Sequence, residues 1–221
     1  MKYYPINLNI KDRKCLVAGG GLVALRKVKR LVECEAIIRI ISPQIVTQLE
    51  EIAKKEIIEI LYRKIQSDDL NDIFLIFAAT NDKEVNMSIS QWAHKKNILC
   101  NIADQPDESD FTLPSVIDQG DLNITISTNG KSPALSKYLR KRLQTEFGQE
   151  YATLLDMMGK LRKMLTAEVP CQNDRQKIYH SLLDSSILHS LKLNDLITAS
   201  NTCEEITGHC LDEILNAQDC S

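Results

Sequence analysis

The sequence lacks both a long apolar stretch and a strong excess of charge of either sign. It carries 27 Lys and Arg residues against 30 Asp and Glu residues, for a formal net charge of -3, which argues against a general nucleic-acid binder. No apolar run approaches the roughly 20 residues that a membrane span requires, and the first residues lack the apolar core of a signal peptide. We therefore expect a cytoplasmic protein that binds neither nucleic acid nor membranes.

A metal-binding pattern is missing as well. The four histidines fall on helical stretches without the spacing of metal ligands, so we predict no dedicated metal site. The seven cysteines are odd in number, and Cys15 and Cys100 fall in predicted strands, where cysteine usually behaves as a small buried hydrophobe. We expect free thiols. The composition is otherwise that of a globular protein, 43% hydrophobic and 26% charged, in a chain long enough for one large or two modest domains.

One stretch near the N-terminus combines a buried strand, a glycine turn and an amphipathic helix. Residues 15–18 are apolar, three glycines follow at residues 19–21, and apolar residues then recur every three to four positions. The register fits the pattern G-x-G-x-x-A: Gly19 suits a tight turn, Gly21 a close approach to a pyrophosphate, and Ala24 tight packing of the helix on the sheet. The free N–H groups and the positive dipole end of that helix would face the pyrophosphate. The stretch therefore predicts a dinucleotide cradle.

Strand-like and helix-like segments alternate through the first half of the chain. We predict five strands, at residues 15–18, 37–41, 57–62, 73–79 and 98–102. Such an alternation implies a parallel, doubly wound, Rossmann-like sheet with ligands at the carboxyl ends of its strands. Between the strands, Ser67 is expected to cap a short helix, and residues 83–96 are expected to form a longer one.

The ends of the predicted strands supply the candidate cofactor contacts. The acidic residue that usually lies about 20 residues after the glycines and grips the adenosine ribose is absent, and Ser42 stands in its place. We prefer NAD to NADP because no basic cluster directly follows the second strand, although the acid-or-arginine rule does not decide between the two. The predicted cofactor-binding residues are Gly19, Gly21, Leu22, Val23, Ser42, Pro43, Gln44, Thr80 and Asn81.

The pattern changes after about residue 105. Residues 111–114 and 116–118 are expected to form a short strand and a turn. Residues 122–127 alternate as a half-exposed strand, and a turn-rich loop precedes a basic helix. From residue 151 the period is helical, and the expected apolar face consists of Leu154, Leu155, Met158, Leu161 and Leu165. The predicted fold is α/β: an NAD-binding Rossmann-like domain over residues 1–112, a small α+β dimerisation segment over 113–150, and a helical C-terminal domain over 151–221.

Several motifs occur together in the order seen in one enzyme family. They are YPI at residues 4–6, VAGGGLVA at 17–24 followed by RK at 26–27, AATND at 78–82, CNIAD at 100–104, FTLPS at 111–115 and STNGKSP at 127–133. In this combination the sequence resembles precorrin-2 dehydrogenase, the dehydrogenase/ferrochelatase module of siroheme synthases. The resemblance implies NAD-dependent oxidation of the tetrapyrrole precorrin-2 to sirohydrochlorin, followed in some members by insertion of Fe²⁺. It also implies a homodimer that exchanges the middle segment. The role of residues 166–221 stays open.

The resemblance further implies a catalytic residue and a substrate loop. The catalytic aspartate of the family matches Asp104, and its carboxylate would accept the proton lost in the oxidation or the pyrrole protons displaced in chelation. Its acidic neighbours, Asp107, Glu108 and Asp110, are expected to form a solvated loop. The substrate loop matches Thr128, Asn129, Gly130, Lys131 and Ser132. Many relatives carry a serine in place of Thr128, phosphorylated in some, so a regulatory role of Thr128 stays open.

The substrate bears many carboxylates, so cations are expected around its site. The candidates that follow the middle segment are Lys131, Lys137, Arg140 and Arg142, through charge-assisted hydrogen bonds. A solvated basic helix face is an equally good interpretation of each of them taken singly.

Two other functions remain open at this point. A nucleotide-sensing regulatory module would keep the fold but would have no need of Asp104 or of the motifs at 111–115 and 127–133. A chelatase without redox activity is disfavoured by the intact glycine turn, whereas the missing ribose acid leaves it open. The sequence does not decide whether iron insertion occurs.

Overall fold

The computed structural model describes residues 3–56 and 58–216. The chain divides into two compact units, the first ending at Leu113 and the second beginning at Pro114. Ile57, the expected start of the third strand, lies outside the described residues, as do residues 1–2 and the last five residues of the expected helical domain. The further domain boundary expected after residue 150 stays a prediction.

The first unit is built on a five-stranded parallel sheet. Its strands are β1 (Lys14–Ala18), β2 (Ile37–Ile41), β3 (Ile58–Leu61), β4 (Leu75–Ala78) and β5 (Leu99–Ile102). They lie in the order β3-β2-β1-β4-β5, and each neighbouring pair runs parallel. This order confirms the predicted Rossmann-like fold. It also places the topological switch point between β1 and β4, where sheets of this kind bind their ligands.

Two apolar clusters cover the two faces of this sheet. The helices of the unit are α1 (Leu22–Glu33), α2 (Thr47–Lys55) and α3 (Lys83–Lys95). The face that α1 buries consists of Ala24, Leu25, Val28 and Leu31. On α3, Ile89 and Ala93 are fully buried in the second cluster. Since successive strand residues point to opposite faces, Val17 enters the first cluster and Ala18 the second.

The short helix that Ser67 was expected to cap is a 3₁₀ turn, Ser67–Leu70, whose N-cap is Gln66. Ser67 is therefore inside the turn, and the prediction was wrong by one residue. The reason is Asp69, whose carboxylate accepts a hydrogen bond from the backbone N–H of Gln66 at 2.7 Å. The same carboxylate binds the Arg63 guanidinium at 2.6 Å, and this hydrogen bond lowers the pKa of Asp69. Arg63 thus serves the structure of the chain beyond β3.

The second unit begins with an antiparallel hairpin and continues in helices. The hairpin consists of β6 (Ser115–Gln119) and β7 (Leu122–Ile126). The helices are α4 (Pro133–Glu146), α5 (Glu150–Glu168), α6 (Gln172–Asp184), α7 (Ile187–Lys192), α8 (Leu196–Thr207) and α9 (Leu211–Asn216). Residues 111–114 form no strand, in contrast to the expectation. Phe111 is instead held to the sheet of the first unit, edge-on to Phe77 at 5.7 Å between ring centroids, and Asn101 donates to its carbonyl at 2.9 Å.

Helices α5 to α9 pack around an apolar core of their own. The buried residues of α5 are Leu154, Met157, Leu161 and Leu165. Met157, which was not expected on this face, is fully buried in it, and Met158 is partly buried against the same core, as expected. The spacing from residue 154 to 165 keeps a single helix face turned inward. Leu155 is exposed. Leu182 of α6 and Ala199 of α8 complete this core from other helices.

Candidate functional site

The glycine turn after β1 is shaped by close backbone contacts. Gly19 has a φ of +124°, and a Cβ atom there would lie 2.3 Å from the carbonyl oxygen of Ala79. Gly20 is equally constrained, since its Cβ would lie 2.0 Å from the carbonyl oxygen of Gln44. The motif leaves this middle position unspecified, so sequence reasoning missed it. Gly21 differs from both, because nothing lies within 4 Å of the position its Cβ would occupy.

The first turn of α1 is left open for an anion. Gly21 is the N-cap of α1, no side chain caps the helix, and its first turn has no acidic residue. The first N–H groups of a helix have no partner within it and carry the positive end of its dipole. With the space at Gly21, this arrangement fits the pyrophosphate of a dinucleotide. Ala24 is fully buried, as helix-on-sheet packing requires.

A crevice of about 740 Å³ lies at the carboxyl ends of β2, β1 and β4. The predicted cofactor residues that line it are Gly19, Gly21, Ser42, Pro43, Gln44, Thr80 and Asn81. Leu22 and Val23 do not line it: Leu22 is exposed, and Val23 lines a different groove. Lys64, which follows β3, also lines the crevice. Sequence reasoning did not assign Lys64 to the site.

Ser42 stands where a ribose-binding acid is usual, and its hydroxyl is already in use. The hydroxyl donates to the carbonyl oxygen of Gln44 at 2.6 Å, and the backbone N–H of Ser42 donates to Leu61 at 3.2 Å. The side chain is buried. Ser42 therefore fixes the turn of Pro43 and Gln44, and its oxygen keeps acceptor capacity toward a ribose hydroxyl.

A buried asparagine holds the turn after β4. The side-chain oxygen of Asn86 accepts from the Thr80 hydroxyl at 2.7 Å and from the Thr80 N–H at 3.2 Å, and its amide donates to the Thr80 carbonyl at 3.0 Å. Asp82 caps α3 by accepting from Glu84 N–H at 2.9 Å. Asn81 between them is exposed at the crevice. Sequence reasoning missed Asn86, although a polar residue on the apolar face of a predicted helix was a usable signal.

Asp104 lies just beyond β5, at the same edge of the sheet as the glycine turn. Its backbone is left-handed, with a φ of +62°, and its side chain is exposed. The preceding residue, Ala103, is tied to the end of β4 by a hydrogen bond to Ala78 at 2.9 Å. A non-glycine residue in this conformation is uncommon and is held there only by its surroundings.

Two residues fasten the loop after Asp104 to the sheet. The Ser109 hydroxyl accepts from the Ile102 N–H at 2.9 Å. Asp110 accepts from the Cys100 N–H at 2.8 Å and contacts His94 at 3.1 Å. Asp107, Glu108 and Asp110 are all exposed, as expected of a solvated acidic loop, and the Asp110 carboxylate in addition fastens the end of the loop to β5.

The predicted substrate loop lies in the second unit, between β7 and α4. The Ser132 hydroxyl caps α4 by accepting from the Leu135 N–H at 3.2 Å, and the Thr128 hydroxyl accepts from the Ser132 N–H at 3.2 Å. Asn129 and Gly130 have positive φ angles of 52° and 78°, and Lys131 is exposed. Thr128 and Ser132 thus shape the loop, and the substrate contacts of all five residues stay predictions.

The sheet order, the glycine turn and the crevice define a dinucleotide-binding protein of the Rossmann type. Residues 6–115 match the sequence family described as putative NAD(P)-binding, and residues 119–146 match the family described as sirohaem biosynthesis protein central. The chain is thus similar to an NAD(P)-binding family over most of its first unit and to the central region of sirohaem biosynthesis proteins over the segment that follows.

Individual relatives agree with these similarities. The chain is 33% identical over 212 residues to a siroheme synthase of Thioalkalivibrio sulfidiphilus, covering 96% of this chain and 43% of the relative. It is 35% identical over 184 residues to a siroheme synthase of Nitrosomonas europaea, covering 83% and 39%. The chain thus spans about two fifths of the length of the curated relatives it matches. A solved structure named SirC, precorrin-2 dehydrogenase, shares the fold with a TM-score of 0.78 at 24% identity, covering 94% of this chain and all of that one.

No group of three or more His, Cys, Asp and Glu side chains within residues 3–56 and 58–216 is placed to hold a metal ion. Over the same residues, none of the helices has the length and apolarity that crossing a membrane takes.

Proposed function

We propose that this chain oxidises precorrin-2 to sirohydrochlorin, with NAD⁺ as the oxidant. The observation that carries the proposal is the position of Asp104: an exposed carboxylate in a left-handed backbone conformation, at the sheet edge that also bears the glycine turn. The similarity to siroheme synthases supports the same reaction. NAD⁺ supplies the chemistry of hydride acceptance when it is bound.

Other residues of the first unit would bind the cofactor, and Asp104 would accept the proton. Gly21 and the open N-terminus of α1 bind the pyrophosphate, and the turn that Ser42 fixes faces the adenosine ribose. Thr80 and Asn81 lie where the nicotinamide half would pass. The oxidation removes one hydride and one proton from the macrocycle, and the Asp104 carboxylate accepts the proton.

The test is an assay of the purified chain with precorrin-2 and NAD⁺. We expect NADH and sirohydrochlorin to appear together, in equal amounts. A chain that binds NAD⁺ but forms no NADH would be a nucleotide sensor or a chelatase without redox activity. NADP⁺ in place of NAD⁺ should support slower turnover, and equal turnover with both would contradict the preference for NAD.

A second activity, insertion of Fe²⁺ into sirohydrochlorin, is favoured by the exposure of the same carboxylate. Asp104 is open to solvent, so it can accept the pyrrole protons that a metal ion displaces once the oxidised macrocycle is bound. Incubation of the chain with sirohydrochlorin and Fe²⁺ or Co²⁺ should accelerate formation of the metal complex above the rate without protein. An unchanged rate would restrict the chain to the dehydrogenase step.

We also propose a homodimer formed through the hairpin and α4. Helix α4 buries none of its residues, and Leu135 and Tyr138 are 47% and 60% exposed. Leu122, Ile124 and Ile126 of β7 are only partly buried. A second copy of this segment would cover these side chains, as the family resemblance implies. Sedimentation at micromolar concentration should give the mass of two chains, and the mass of one would contradict the proposal.

The cytoplasm is the proposed compartment. The thiol of Cys171 is exposed, and within the described residues Cys171, Cys15 and Cys100 form no disulfide, a state that reducing compartments maintain.

A further inference from the structure

The second groove of the first unit has a basic wall. It has a volume of about 630 Å³ and lies between α1 and the segment that follows β5. Its ionisable lining residues are Arg26, Lys27, Lys29, Arg30, Glu33 and Asp104. Arg30 is paired with Glu33 at 2.8 Å, which leaves three cations of α1 facing the single carboxylate of Asp104. The groove therefore carries an excess of positive charge next to the proposed proton acceptor.

Lys27 is the least exposed of these cations. Its side chain is half-buried, and its ammonium group lies 5.2 Å from the centroid of the Phe77 ring. Burial and the neighbouring Arg26 lower the pKa of Lys27, whereas Asp104 acts in the opposite direction. Within the described residues no carboxylate lies within salt-bridge distance of Lys27. A partly desolvated cation without an ion-pair partner gains more from an anionic ligand than a solvated one.

The groove is separate from the dinucleotide crevice but adjacent to it. None of its lining residues lines the crevice. Val23, in the first turn of α1, lines the groove, whereas Gly21 at the N-cap of the same helix lines the crevice. A ligand in the groove would therefore touch Asp104 while the pyrophosphate site stays free. The cations of the groove are not needed to bind the dinucleotide.

We propose that this groove binds carboxylates of the tetrapyrrole, with Lys27 as the inner anchor and Arg26 and Lys29 as outer contacts. The inference rests on the proposed function, which supplies a polycarboxylate substrate. Charge-assisted hydrogen bonds from these cations hold the edge of the macrocycle, and the planar guanidinium of Arg26 can bind one carboxylate through two hydrogen bonds. Because Asp104 lines the same groove, carboxylates bound there bring a ring of the macrocycle to the proton acceptor.

The experiment measures tetrapyrrole binding directly and needs no turnover. Uroporphyrin, a stable tetrapyrrole rich in carboxylates, is titrated into the protein without NAD⁺ and followed by porphyrin fluorescence. Lys27→Met keeps the apolar stem beside Phe77 and removes the charge, and it should weaken binding about 10- to 100-fold, the worth of one charge-assisted hydrogen bond. Arg26→Gln with Lys29→Gln should weaken it as well, and added salt should reduce the difference from the unmutated protein.

The matched control is Lys54→Met on α2, which removes an exposed cation of the same unit and should leave binding unchanged. Coproporphyrin, which has fewer carboxylates, should bind more weakly and lose less from Lys27→Met. Affinity for NAD⁺ should be the same in all variants, which also shows that each one is folded. Unchanged uroporphyrin affinity in both the Lys27→Met and the Arg26→Gln/Lys29→Gln proteins would overturn the inference. If these variants lose uroporphyrin binding but the unmutated chain forms no NADH, the groove still binds tetrapyrrole carboxylates and the proposed dehydrogenase activity is refuted.

Discussion

Helices α1 and α4 both follow a glycine-containing turn and both carry several cations, yet their surroundings differ. The apolar face of α1 is closed against the sheet, and Leu31 on it is only 2% exposed. The apolar face of α4 stays open, with Leu135 at 47%. At their N-termini the relation is reversed: α1 has no side-chain cap, whereas Ser132 caps α4. Each helix thus leaves open the surface through which it would bind something else, a dinucleotide for α1 and a second chain for α4.

The largest expected effect is a difference in stability between substitutions in the closed apolar face of α1 and in the exposed apolar face of α4. Leu31→Ala should lower the free energy of unfolding of the first unit by about 2–5 kcal/mol, because it leaves a cavity in a closed core. Leu135→Ala should change the stability of dilute protein by less than about 0.5 kcal/mol, as at other exposed sites, while weakening the dimer. The fluorescence of Trp92, the single tryptophan of the chain, reports unfolding of the first unit, and sedimentation reports the dimer. Equal destabilisation by both substitutions would show that the face of α4 is already covered within one chain.

The buried apolar face of α1 could be predicted from the sequence, whereas the exposure of the apolar face of α4 could not. The residues of α1 repeat every three to four positions, and the apolar runs of the five strands leave little freedom in their assignment. The same period in α4 predicts a helix equally well, but a period does not say whether a chain covers the apolar face by itself. For Leu135 and Tyr138 the deciding information is the exposed area.

The second effect concerns the glycine turn at the start of α1, where Gly20 is crowded and Gly21 is open. Gly20→Ala should destabilise the first unit by about 1–3 kcal/mol, since the added methyl group meets the Gln44 carbonyl and the site is overpacked. Gly21→Ala should cost less than about 0.5 kcal/mol because its surroundings are open, yet it should weaken NAD⁺ binding by filling the space of the pyrophosphate. Denaturant titration and NAD⁺ titration check the pair. A Gly21→Ala protein with unaltered NAD⁺ affinity would move the pyrophosphate away from this turn.

The roles of Gly19 and Ala24 could be predicted because the motif encodes them, whereas the role of Gly20 could not. Gly20 is constrained by Gln44, a residue that becomes its neighbour only when β2 is placed beside β1. The same holds for Lys27 and Asp104, which are far apart in sequence and line one groove because β4 lies between β1 and β5. Adjacency of this kind comes from strand order, which local periodicity does not contain.

A smaller effect is expected at the start of α4. Ser132→Ala removes the side-chain cap and should cost about 1 kcal/mol in the second unit, measured by far-ultraviolet circular dichroism during thermal unfolding. Affinity for NAD⁺ should not change. Because Ser132 is also a predicted substrate contact, uroporphyrin titration of the same variant separates a cap from a ligand-binding residue. Unaltered stability would contradict the capping geometry.

The smallest effect concerns pH and should be confined to the second unit. The Nε2 atom of His209 donates a hydrogen bond to the Glu168 carboxylate at 2.8 Å, and its Nδ1 atom lies 3.5 Å from the Glu213 carboxylate. The bond with Glu168 is the main cause that raises the pKa of His209 above 6.5. A raised folded-state pKa means that the stabilisation is fully present below pH 6.5 and is lost as the pH rises through the raised value.

His209→Gln should therefore flatten the decline in stability of the second unit above that pH, with no change in the Trp92 signal of the first. The control is His180→Gln, which alters an exposed residue of α6 and should leave the pH profile as it was. If the stability of the second unit depends on pH in the same way in His209→Gln and in the unmutated chain, His209 is not the cause of the decline.

The most direct measurement is the rate of NADH formation from precorrin-2 by Asp104→Asn, compared with Glu108→Gln as a neighbouring exposed control. Loss of a positioned proton acceptor should slow NADH formation by about 10²- to 10⁴-fold, while NAD⁺ affinity and the unfolding temperature stay at the values of the unmutated chain. The Glu108→Gln protein should turn over normally. An Asp104→Asn protein that forms NADH at the unmutated rate would contradict the assignment of Asp104 as the proton acceptor.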